Sequence, residues 1–416
     1  MIGALNKLLL VLPANTYRAK RFIQAAATLG IELTIATDSD FSPPDPVGTV
    51  LHRIDFCDPR AAGEELAELA RGRGIASALA VDESGVEVAA WTNANLTGTT
   101  TNLDGILATR DKAQLRAILS AAGIAQPIFV EANTAGDAIS SSSWMGYPVV
   151  VKPTKGSGSL GVTLAKDLAQ LESGLDIART VMEKMGFRGR RMLVEQFIQG
   201  PEFAVEVLVV GAKAKILTIF EKPDPLVGPT FAETIYLTPA RIQPSVAAAI
   251  GDSVDAVAQA LGIQNGPMHI EMRVTRDGTC YPIDVASRSI GGRCSDALSF
   301  TMSATLEELI LTNAVSGSVP DIAREHQASG VFMIPVESEG VLSDVSGIKA
   351  AEDVPFVQGI DISVAVGTRV RPLPWDNQYL GFIFAKAPGP AAVEKALRKA
   401  RSHIGIAIER DPLAES

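Results

Sequence analysis

Two carboxylates fall directly opposite each other in the segment "MHIEMRVTRDGTCYPIDVASR", residues 268–288. Asp277-Gly278 is a strong two-residue turn signal, and a hairpin closed by that turn places Glu271 opposite Asp284. Directly opposed residues have Cβ atoms roughly 5 Å apart, so these charges repel unless a cation lies between them. Paired carboxylate ligands, completed by water and substrate phosphates, suit Mg²⁺ at a nucleotide site. The pattern therefore predicts a magnesium site at Glu271 and Asp284.

The same register assigns the neighbours of this pair. It places Arg276 opposite Thr279 and His269 opposite Ala286. Strand alternation puts His269 and Ala286 on the face of the two carboxylates, with Arg288 at the same parity four residues after Asp284. The opposite face is predicted to carry Ile270, Met272, Ile283 and Val285. A plain alternative is a pair of solvated acids on an exposed hairpin.

A glycine-rich stretch, "KPTKGSGSLGVTLAK", covers residues 152–166 and contains the spacing GxGxxG. A dinucleotide-binding fold needs a helix directly after these glycines, because the helix N-terminus holds the pyrophosphate. Here "GVTLAK" alternates like a strand, the next helix is predicted only from about Asp167, and no Walker A sequence is present. The stretch is therefore predicted to be a loop between antiparallel strands, flanked by Lys152 and Lys155. Its backbone N–H groups could cover phosphate oxygens, and a flexible hairpin loop without a ligand is the alternative.

Composition limits the partners of the protein. The 416 residues carry a formal net charge of -10, which provides no basic field for a nucleic acid backbone. The three cysteines form no CxxC or Cys/His cluster, which argues against a disulfide framework or structural zinc. No stretch approaches the roughly 18 consecutive apolar residues of a membrane span. We therefore expect no nucleic acid partner, no membrane partner and a cytoplasmic location.

The elements that must position these motifs follow two patterns. Through about residue 100, short apolar runs alternate with amphipathic segments, which predicts a parallel α/β sheet. The runs "YPVVVKP", "RMLVEQFI", "PEFAVEVLVV" and "AKAKILTIFEK" have meander spacing and predict antiparallel strands. A helix from about Asp111 to Gly123 separates the two regions, and several short strands follow residue 330. The chain is therefore predicted to be an α/β and α+β multidomain protein.

Together these motifs resemble the ATP-grasp superfamily, in particular its carboxylate-amine ligases of the L-amino-acid ligase type. The resemblance rests on an ordered set of segments: "RDK" before a helix, "PVVVKP" before the glycine loop, "LVEQFIQGPEFAVEV", "HIE" and "DVASR". It implies a parallel N-terminal domain, two central α+β subdomains that sandwich ATP, and a C-terminal β-rich subdomain. The implied boundaries are 1–110, 111–197, 198–329 and 330–416.

The resemblance also implies roles for individual residues. Lys152 and Arg288 would be catalytic, and Glu271 and Asp284 would hold Mg²⁺, with Mn²⁺ as a possible substitute. Glu195, Gln196 and Ile198 would lie on the strand that reads adenine, and Glu202 would hold the ribose hydroxyls. The other implied ATP contacts are Lys112, Lys152, Gly156, Ser157, Gly158, Ser159 and Gly161. The implied substrate residues are His269, Glu233, Arg288, Gly291, Gly292 and Arg293.

The implied reaction is ATP-dependent amide or peptide bond formation through an acyl phosphate, which releases ADP and phosphate. The substrates would be a small carboxylate or amino acid and an amine, and a homodimer is the default assembly. Asp284 and Ala286 depart from a glutamate and an asparagine that many relatives carry, and Ala286 resembles the amino-acid ligase branch. Two alternatives stay open: a carboxylase that activates bicarbonate, biotin-carboxylase-like or of the purine pathway, and an inactive nucleotide-binding protein.

Overall fold

The computed structural model describes residues 6–410 except 15, 39–48, 97–101, 133, 188, 190 and 322. The outer ends of the predicted domains, residues 1–5 and 411–416, therefore lie outside the described residues. The first sheet is parallel, with strand order β3-β2-β1-β4. The predicted parallel N-terminal sheet is confirmed. Its strands and helices are β1 Lys7–Val11, α1 Ala19–Leu29, β2 Glu32–Thr37, β3 Val50–Arg53, α2 Pro59–Arg73, β4 Ala78–Ala80 and α3 Val86–Asn95.

A small antiparallel sheet carries the glycine loop. Its strand order is β5-β8-β6-β7, and the loop connects β6 to β7. A strand therefore follows the glycines, as predicted, and the next helix begins after the N-cap Asp167. The elements here are α4 Leu103–Ala108, α5 Lys112–Ala121, β5 Phe129–Ala132, α6 Ala135–Met145, β6 Val149–Pro153, β7 Thr163–Ala165, α7 Leu168–Lys184 and β8 Met192–Gln196.

A large antiparallel sheet of eight strands forms the opposite wall of the site. Its order is β13-β12-β9-β10-β11-β14-β18-β16. The last three are the C-terminal strands β14 (Ala328–Pro335), β18 (Tyr379–Ala387) and β16 (Val357–Ile362), which extend the sheet begun by the central strands. The predicted domain boundaries stay predictions. The central elements are β9 Glu202–Val210, β10 Lys213–Glu221, β11 Ile235–Thr238, α8 Pro244–Leu261, β12 Gly266–Val274, β13 Cys280–Ala286 and α9 Leu306–Ser316.

The C-terminal part adds a second, three-stranded sheet in the order β17-β15-β19. One apolar core joins α1 and the N-terminal sheet to α9 and the large sheet, which fixes the N-terminal edge against the site. The remaining elements are β14 Ala328–Pro335, β15 Gly340–Ser346, α10 Ile348–Glu352, β16 Val357–Ile362, β17 Arg369–Val370, β18 Tyr379–Ala387, α11 Pro390–Arg401 and β19 Gly405–Glu409.

The hairpin β12–β13 has the predicted pairing at the site but a different turn. Thr275 N–H donates to Thr279 O at 3.0 Å, so the turn has three residues, and the predicted pairing of Arg276 with Thr279 is wrong. Glu271 nevertheless lies opposite Asp284, as predicted. A bulge between the turn and this pair inserts one extra residue on β13 and restores the register.

The bulge has a local cause and a consequence. Met272 pairs with Pro282, which has no N–H to give to a regular ladder, and Ile283 is the extra residue. The carbonyl oxygens of Pro282 and Ile283 accept from the Arg116 guanidinium at 3.0 and 2.7 Å. Ile283 does not join the apolar core that contains Ile270, Met272 and Val285, so its predicted position on their face is wrong.

Candidate active site

A cavity of about 990 Å³ lies between the glycine loop and the large sheet. The carboxyl edge of the N-terminal parallel sheet and the C-terminal strands close its other sides. Every predicted site residue lines this cavity except Gly161. Gly161 has φ 73°, and its N–H donates to Pro374 O at 2.9 Å, so that N–H is not directed at a ligand.

The glycine loop follows the predicted course over the cavity. Positive φ values at Gly156, Gly158 and Ser159 bend it back between β6 and β7. The Lys112 ammonium donates to Gly156 O at 2.9 Å. On the outer side, Asn377 Nδ2 donates to Ser157 O at 3.1 Å, so the C-terminal part holds the tip of the loop.

Lys152 is held by a buried ion pair rather than by solvent. Its ammonium lies 2.5 Å from Glu195, and Arg116 lies 2.6 Å from the same carboxylate. Burial and the nearby Arg116 lower the pKa of Lys152, while Glu195 opposes that effect. Glu195 was predicted on the adenine strand, and its side chain instead fixes Lys152 at the cavity wall.

The end of β8 offers backbone groups to a ligand. Gln196 N–H donates to Ile128 O at 2.8 Å, and Ile198 O accepts from Arg273 at 2.9 Å. Within the described part of the chain, no acceptor is recorded for the Ile198 N–H. This donor suits the edge of a purine, in line with the predicted backbone contact. The Arg273 guanidinium also stacks over the Phe197 ring at 4.7 Å.

A buried lysine connects three of the predicted carboxylates. Lys222 Nζ lies 2.8 Å from Glu202 and 3.0 Å from Glu271, and it also contacts Glu233. Oxygens of the three acids lie within 4.8 Å of one another, and only 3% of the Lys222 side chain is exposed. Burial opposes the charge, but the three carboxylates raise the pKa of Lys222 well above its usual value. The cluster therefore keeps its lysine charged.

The two predicted metal ligands each face a different ammonium. Glu271 contacts Lys222, and Asp284 Oδ2 lies 3.2 Å from Lys112 Nζ. Burial favours the neutral acid, but Lys222 and His269 hold the pKa of Glu271 well below its usual range. Both carboxylates are only partly exposed, at 24% and 30%, and both line the cavity. This oxygen donor set fits Mg²⁺ bound together with a nucleotide.

His269 lies between two acids. Its Nδ1 is 3.3 Å from Glu206, and its Nε2 is 3.8 Å from Glu271. Burial opposes protonation, but the neighbouring carboxylates of Glu206 and Glu271 raise the pKa of His269. Glu206 also accepts from Ile290 N–H at 3.0 and 3.2 Å. The predicted substrate residue His269 thus orients Glu271 and, through Glu206, the start of the loop after β13.

Arg288 reaches the cavity from the end of β13. Its Nε donates to Glu83 at 2.5 Å, and its Nη1 donates to Ser289 O at 2.8 Å. Burial disfavours the charge, but Glu83 raises the pKa of Arg288. Arg288, which is predicted to contact the transferring phosphoryl group, is therefore paired with Glu83, a carboxylate of the N-terminal region.

The predicted substrate loop 291–293 lies at the far end of the cavity. Arg293 contacts Asp361 and Asp296, the latter at 2.6 Å, and stacks over Phe384 at 5.1 Å. Its guanidinium is thus already paired within the protein. Gly292 has φ 58°, and Met333 fills the position that a Cβ would need. Glu233 lies nearer the phosphate side and accepts from Tyr236 Oη at 2.6 Å.

The main residues that sequence reasoning missed are Lys222, Glu83, Arg273 and Glu206. No sequence motif marks them, because each acts across strands or between regions distant in sequence. Lys222 directly follows β10, and Glu83 opens a short 3-10 helix after β4. For these two residues, a position directly after a strand or close behind one was the only signal that the sequence offered.

No helix in the described part of the chain is long and apolar enough to cross a membrane. Residues 145–297 match an ATP-grasp domain, and residues 332–409 match L-amino acid ligase C-terminal domain 2. A crystal structure of an L-amino acid ligase from Bacillus licheniformis superposes with a TM-score of 0.81 at 24% sequence identity, over 97% of this chain and 99% of that one.

Two curated proteins are similar to the chain in sequence. The uncharacterized protein y4rH of Sinorhizobium fredii is 27% identical over 72% of this chain and 61% of its own length. Dapdiamide A synthase of Enterobacter agglomerans is 26% identical over 54% of this chain and 53% of its own length. The chain therefore spans little more than half the length of these relatives. Both domain matches agree with the fold, so the chain contains an ATP-grasp domain followed by an L-amino acid ligase C-terminal domain.

Proposed function

We propose that the protein is an ATP-dependent carboxylate-amine ligase that forms an amide or peptide bond through an acyl phosphate. The observation that carries the proposal is the meeting, in one cavity, of the lysine-flanked glycine loop with Glu271, Asp284 and Arg288 on the facing wall. The cavity continues past these groups to Glu233 and Arg293. A nucleotide at the loop therefore leaves room for substrates next to its terminal phosphate.

In the first step a carboxylate oxygen of the substrate attacks the γ-phosphorus of ATP. The bond from that phosphorus to the β,γ-bridging oxygen breaks, and ADP leaves. Catalysis of this step is mainly positioning and charge neutralisation. Lys152 and Arg288 would balance charge on the transferring group, and the loop N–H groups would cover it. Bound at Glu271 and Asp284, Mg²⁺ would supply further neutralisation of phosphate charge.

In the second step an amine attacks the acyl carbon, phosphate leaves, and the amine loses its proton as the amide forms. None of the three cysteines is an activated nucleophile for a covalent enzyme intermediate, because the pKa of each thiol is raised. Cys294 lines no wall of the cavity, and burial together with Glu233 raises the pKa of its thiol well above the usual value. Direct transfer from the acyl phosphate to the amine therefore fits the site.

Amino acids are the substrate class that the cavity beyond the phosphate side supports. Glu233, nearer the phosphate side, offers a carboxylate for an ammonium group, and Tyr379, Phe382 and Met333 offer apolar surface for a side chain. Dapdiamide A synthase, among the relatives, supports an amide-forming reaction by its name. Which carboxylate and which amine react is decided by the shape of this part of the cavity.

The test is ADP release with Mg²⁺ and pools of amino acids and small carboxylates, with products identified by mass spectrometry. We expect ADP release to require both a carboxylate and an amine, and Glu271→Gln to reduce it at least about 100-fold. Asp277→Asn, at the turn of the same hairpin, is the matched control and is expected to stay within about twofold. Stimulation by bicarbonate alone would favour the carboxylase, and ATP binding without any ADP release would favour an inactive binder.

A further inference from the structure

Glu83 occupies a position that a ligand site commonly uses. It opens the 3-10 helix Glu83–Gly85 just after β4, at the carboxyl edge of the N-terminal parallel sheet. Ligands of open α/β sheets bind outside this edge. Asp82 fixes the start of the turn, because its side chain accepts from Glu83 N–H at 2.6 Å. The Glu83 carboxylate lines the cavity and is 15% exposed.

Both oxygens of Glu83 are engaged by arginines. Oε2 accepts from Arg288 Nε at 2.5 Å, and Oε1 accepts from Arg110 Nη1. Burial opposes ionisation, but Arg288, Arg110 and Lys112 lower the pKa of Glu83 to about 2. Glu83 is therefore a fixed anion at neutral pH and neither gives nor takes a proton.

The contact with Glu83 fixes the orientation of the Arg288 guanidinium. Glu83 holds the Nε edge of the guanidinium, and Ser289 O holds Nη1. For Nη2 no acceptor is recorded among the residues that the structure describes, and Arg288 lines the cavity. One nitrogen of the planar group is thus left for a ligand, at a position that the other two contacts define.

A second N-terminal contact fixes the backbone that carries Arg288. Arg18 Nη1 donates to Val81 O at 3.1 Å and to Ser289 O at 3.0 Å, and Arg18 Nη2 donates to Ile290 O at 2.8 Å. The end of β4 is therefore joined to the segment after β13 twice, once through the side chain of Arg288 and once through Arg18 to the main chain of Ser289 and Ile290.

We propose that Glu83 is a positioning residue for phosphoryl transfer: it holds Arg288 so that the free nitrogen of the guanidinium faces the transferring phosphoryl group. The inference rests on the proposed ligase function, in which the γ-phosphorus passes from the ADP oxygen to a carboxylate oxygen. Glu83 contributes to neither bond. It acts through Arg288, whose hydrogen bond strengthens as charge develops on the phosphoryl oxygens.

The test compares Glu83→Gln, which keeps the shape and removes the charge, with wild type. We expect kcat for ADP formation to fall roughly 10- to 100-fold while the KM for ATP changes less than about twofold. Affinity for ADP with aluminium fluoride, which mimics the transferring phosphoryl group, should fall by a similar factor, and affinity for ADP alone should be unchanged. Glu83→Asp should recover part of both losses.

Glu221→Gln is the matched control. Glu221 binds Arg241 at 2.5 Å, its side chain is 17% exposed, and it does not line the cavity. We expect both its turnover and its ADP–aluminium fluoride affinity to stay within about twofold of wild type. In the double variant Glu83→Gln/Arg288→Lys, kcat for ADP formation should fall by no more than about twofold beyond its fall in Arg288→Lys alone. Both changes affect the same contact between Glu83 and Arg288, so their effects should not multiply.

The outcomes separate the two proposals. If Glu83→Gln lowers neither kcat nor ADP–aluminium fluoride affinity, or lowers ADP affinity equally, the positioning role is wrong and the ligase function still stands. If wild type releases no ADP with any carboxylate and amine, the ligase function fails, and the fluoride measurement still reports on Glu83. Thermal unfolding measures the folded fraction of Glu83→Gln. If the fall in kcat is fully explained by a smaller folded fraction, the positioning role is also wrong.

Discussion

Lys222, the residue directly after β10, places its Nζ 3.0 Å from Glu271 on β12, although β10 and β12 do not pair with each other. The strand between them, β9, begins with Glu202, whose carboxylate lies 2.8 Å from the same ammonium. One buried charge therefore joins the predicted ribose acceptor to a predicted metal ligand. Glu233 completes the set, so the lysine balances three acids.

Replacing Lys222 by Met should destabilise the fold strongly. The change leaves buried carboxylates without their cation, and breaking a buried pair in this way costs about 3–5 kcal/mol. Urea unfolding at pH 7 measures the loss. The control Lys215→Met removes a lysine whose partner Asp321 is fully exposed, and it should cost less than about 1 kcal/mol. Equal losses in the two variants would show that the three-acid cluster does not depend on its lysine.

The sequence predicts the strand pairing around the site better than the side-chain contacts within it. A two-residue turn and regular strand alternation predicted Glu271 opposite Asp284, and the structure has this pairing. The three-residue turn and the bulge at Ile283 were missed, and their effects on register cancel. The pairing at the site was therefore predicted correctly although the turn was not.

Turn chemistry and strand alternation could not predict contacts between residues that are distant in sequence. Glu83 and Arg288 are 205 residues apart, and Lys222 and Glu271 are 49 apart. No local propensity or spacing specifies such pairs, since they depend on how sheets pack rather than on how a strand alternates. The ATP contacts implied for Gly161 and Glu195 stay predictions. Both residues lie in the predicted segments, but Gly161 packs behind the loop and the Glu195 side chain serves Lys152.

Asp284 is expected to hold the metal less firmly than Glu271, because its carboxylate is shorter and is shared with Lys112 at 3.2 Å. Asp284→Asn should raise the Mg²⁺ concentration for half-maximal ADP release about 10-fold, while saturating Mg²⁺ restores a substantial part of the rate. A magnesium titration of ADP release at fixed ATP measures this. Asp277→Asn should leave the titration unchanged. An unchanged midpoint in Asp284→Asn would remove that residue from the metal site.

The glycine loop should become more protected when nucleotide binds. Its tip is held from outside by Asn377, and we expect ATP to add contacts from within. Hydrogen exchange of residues 155–162 should slow at least several-fold with ATP and Mg²⁺. Equal exchange with and without nucleotide would contradict a role in covering phosphates.

A substitution in the same loop tests its geometry. Gly158 has φ 62°, and a Cβ there would lie 2.7 Å from Asn377 Nδ2, so Gly158→Ala should displace the loop and raise the KM for ATP about 10-fold. Gly211→Ala is the control, since Gly211 has φ 55° and nothing lies within 4 Å of its Cβ position. Its KM should be that of wild type despite a similar backbone strain. Equal KM changes in both variants would assign the effect to lost stability.

Acid unfolding offers an independent measure of the anion at Glu83. Its pKa is lowered from 4.5 to about 2, with Arg288 and Arg110 outweighing burial. A group with a depressed folded pKa contributes stability above its unfolded pKa, and that stability is lost as the pH falls from 4.5 through about 2. At 1.36 kcal/mol per pKa unit, the contribution at neutral pH is about 3 kcal/mol, of which about 2 kcal/mol is lost by pH 3.

Glu83→Gln cannot titrate, so its free energy of unfolding should fall less between pH 6 and pH 3 than that of wild type, by about 2 kcal/mol. Urea unfolding at the two pH values measures this difference. The remaining acids titrate in both proteins and cancel in the comparison. A wild-type protein that loses no more stability than Glu83→Gln over this range would mean that the arginines do not hold Glu83 ionised, and the fixed orientation of Arg288 would lose its physical basis.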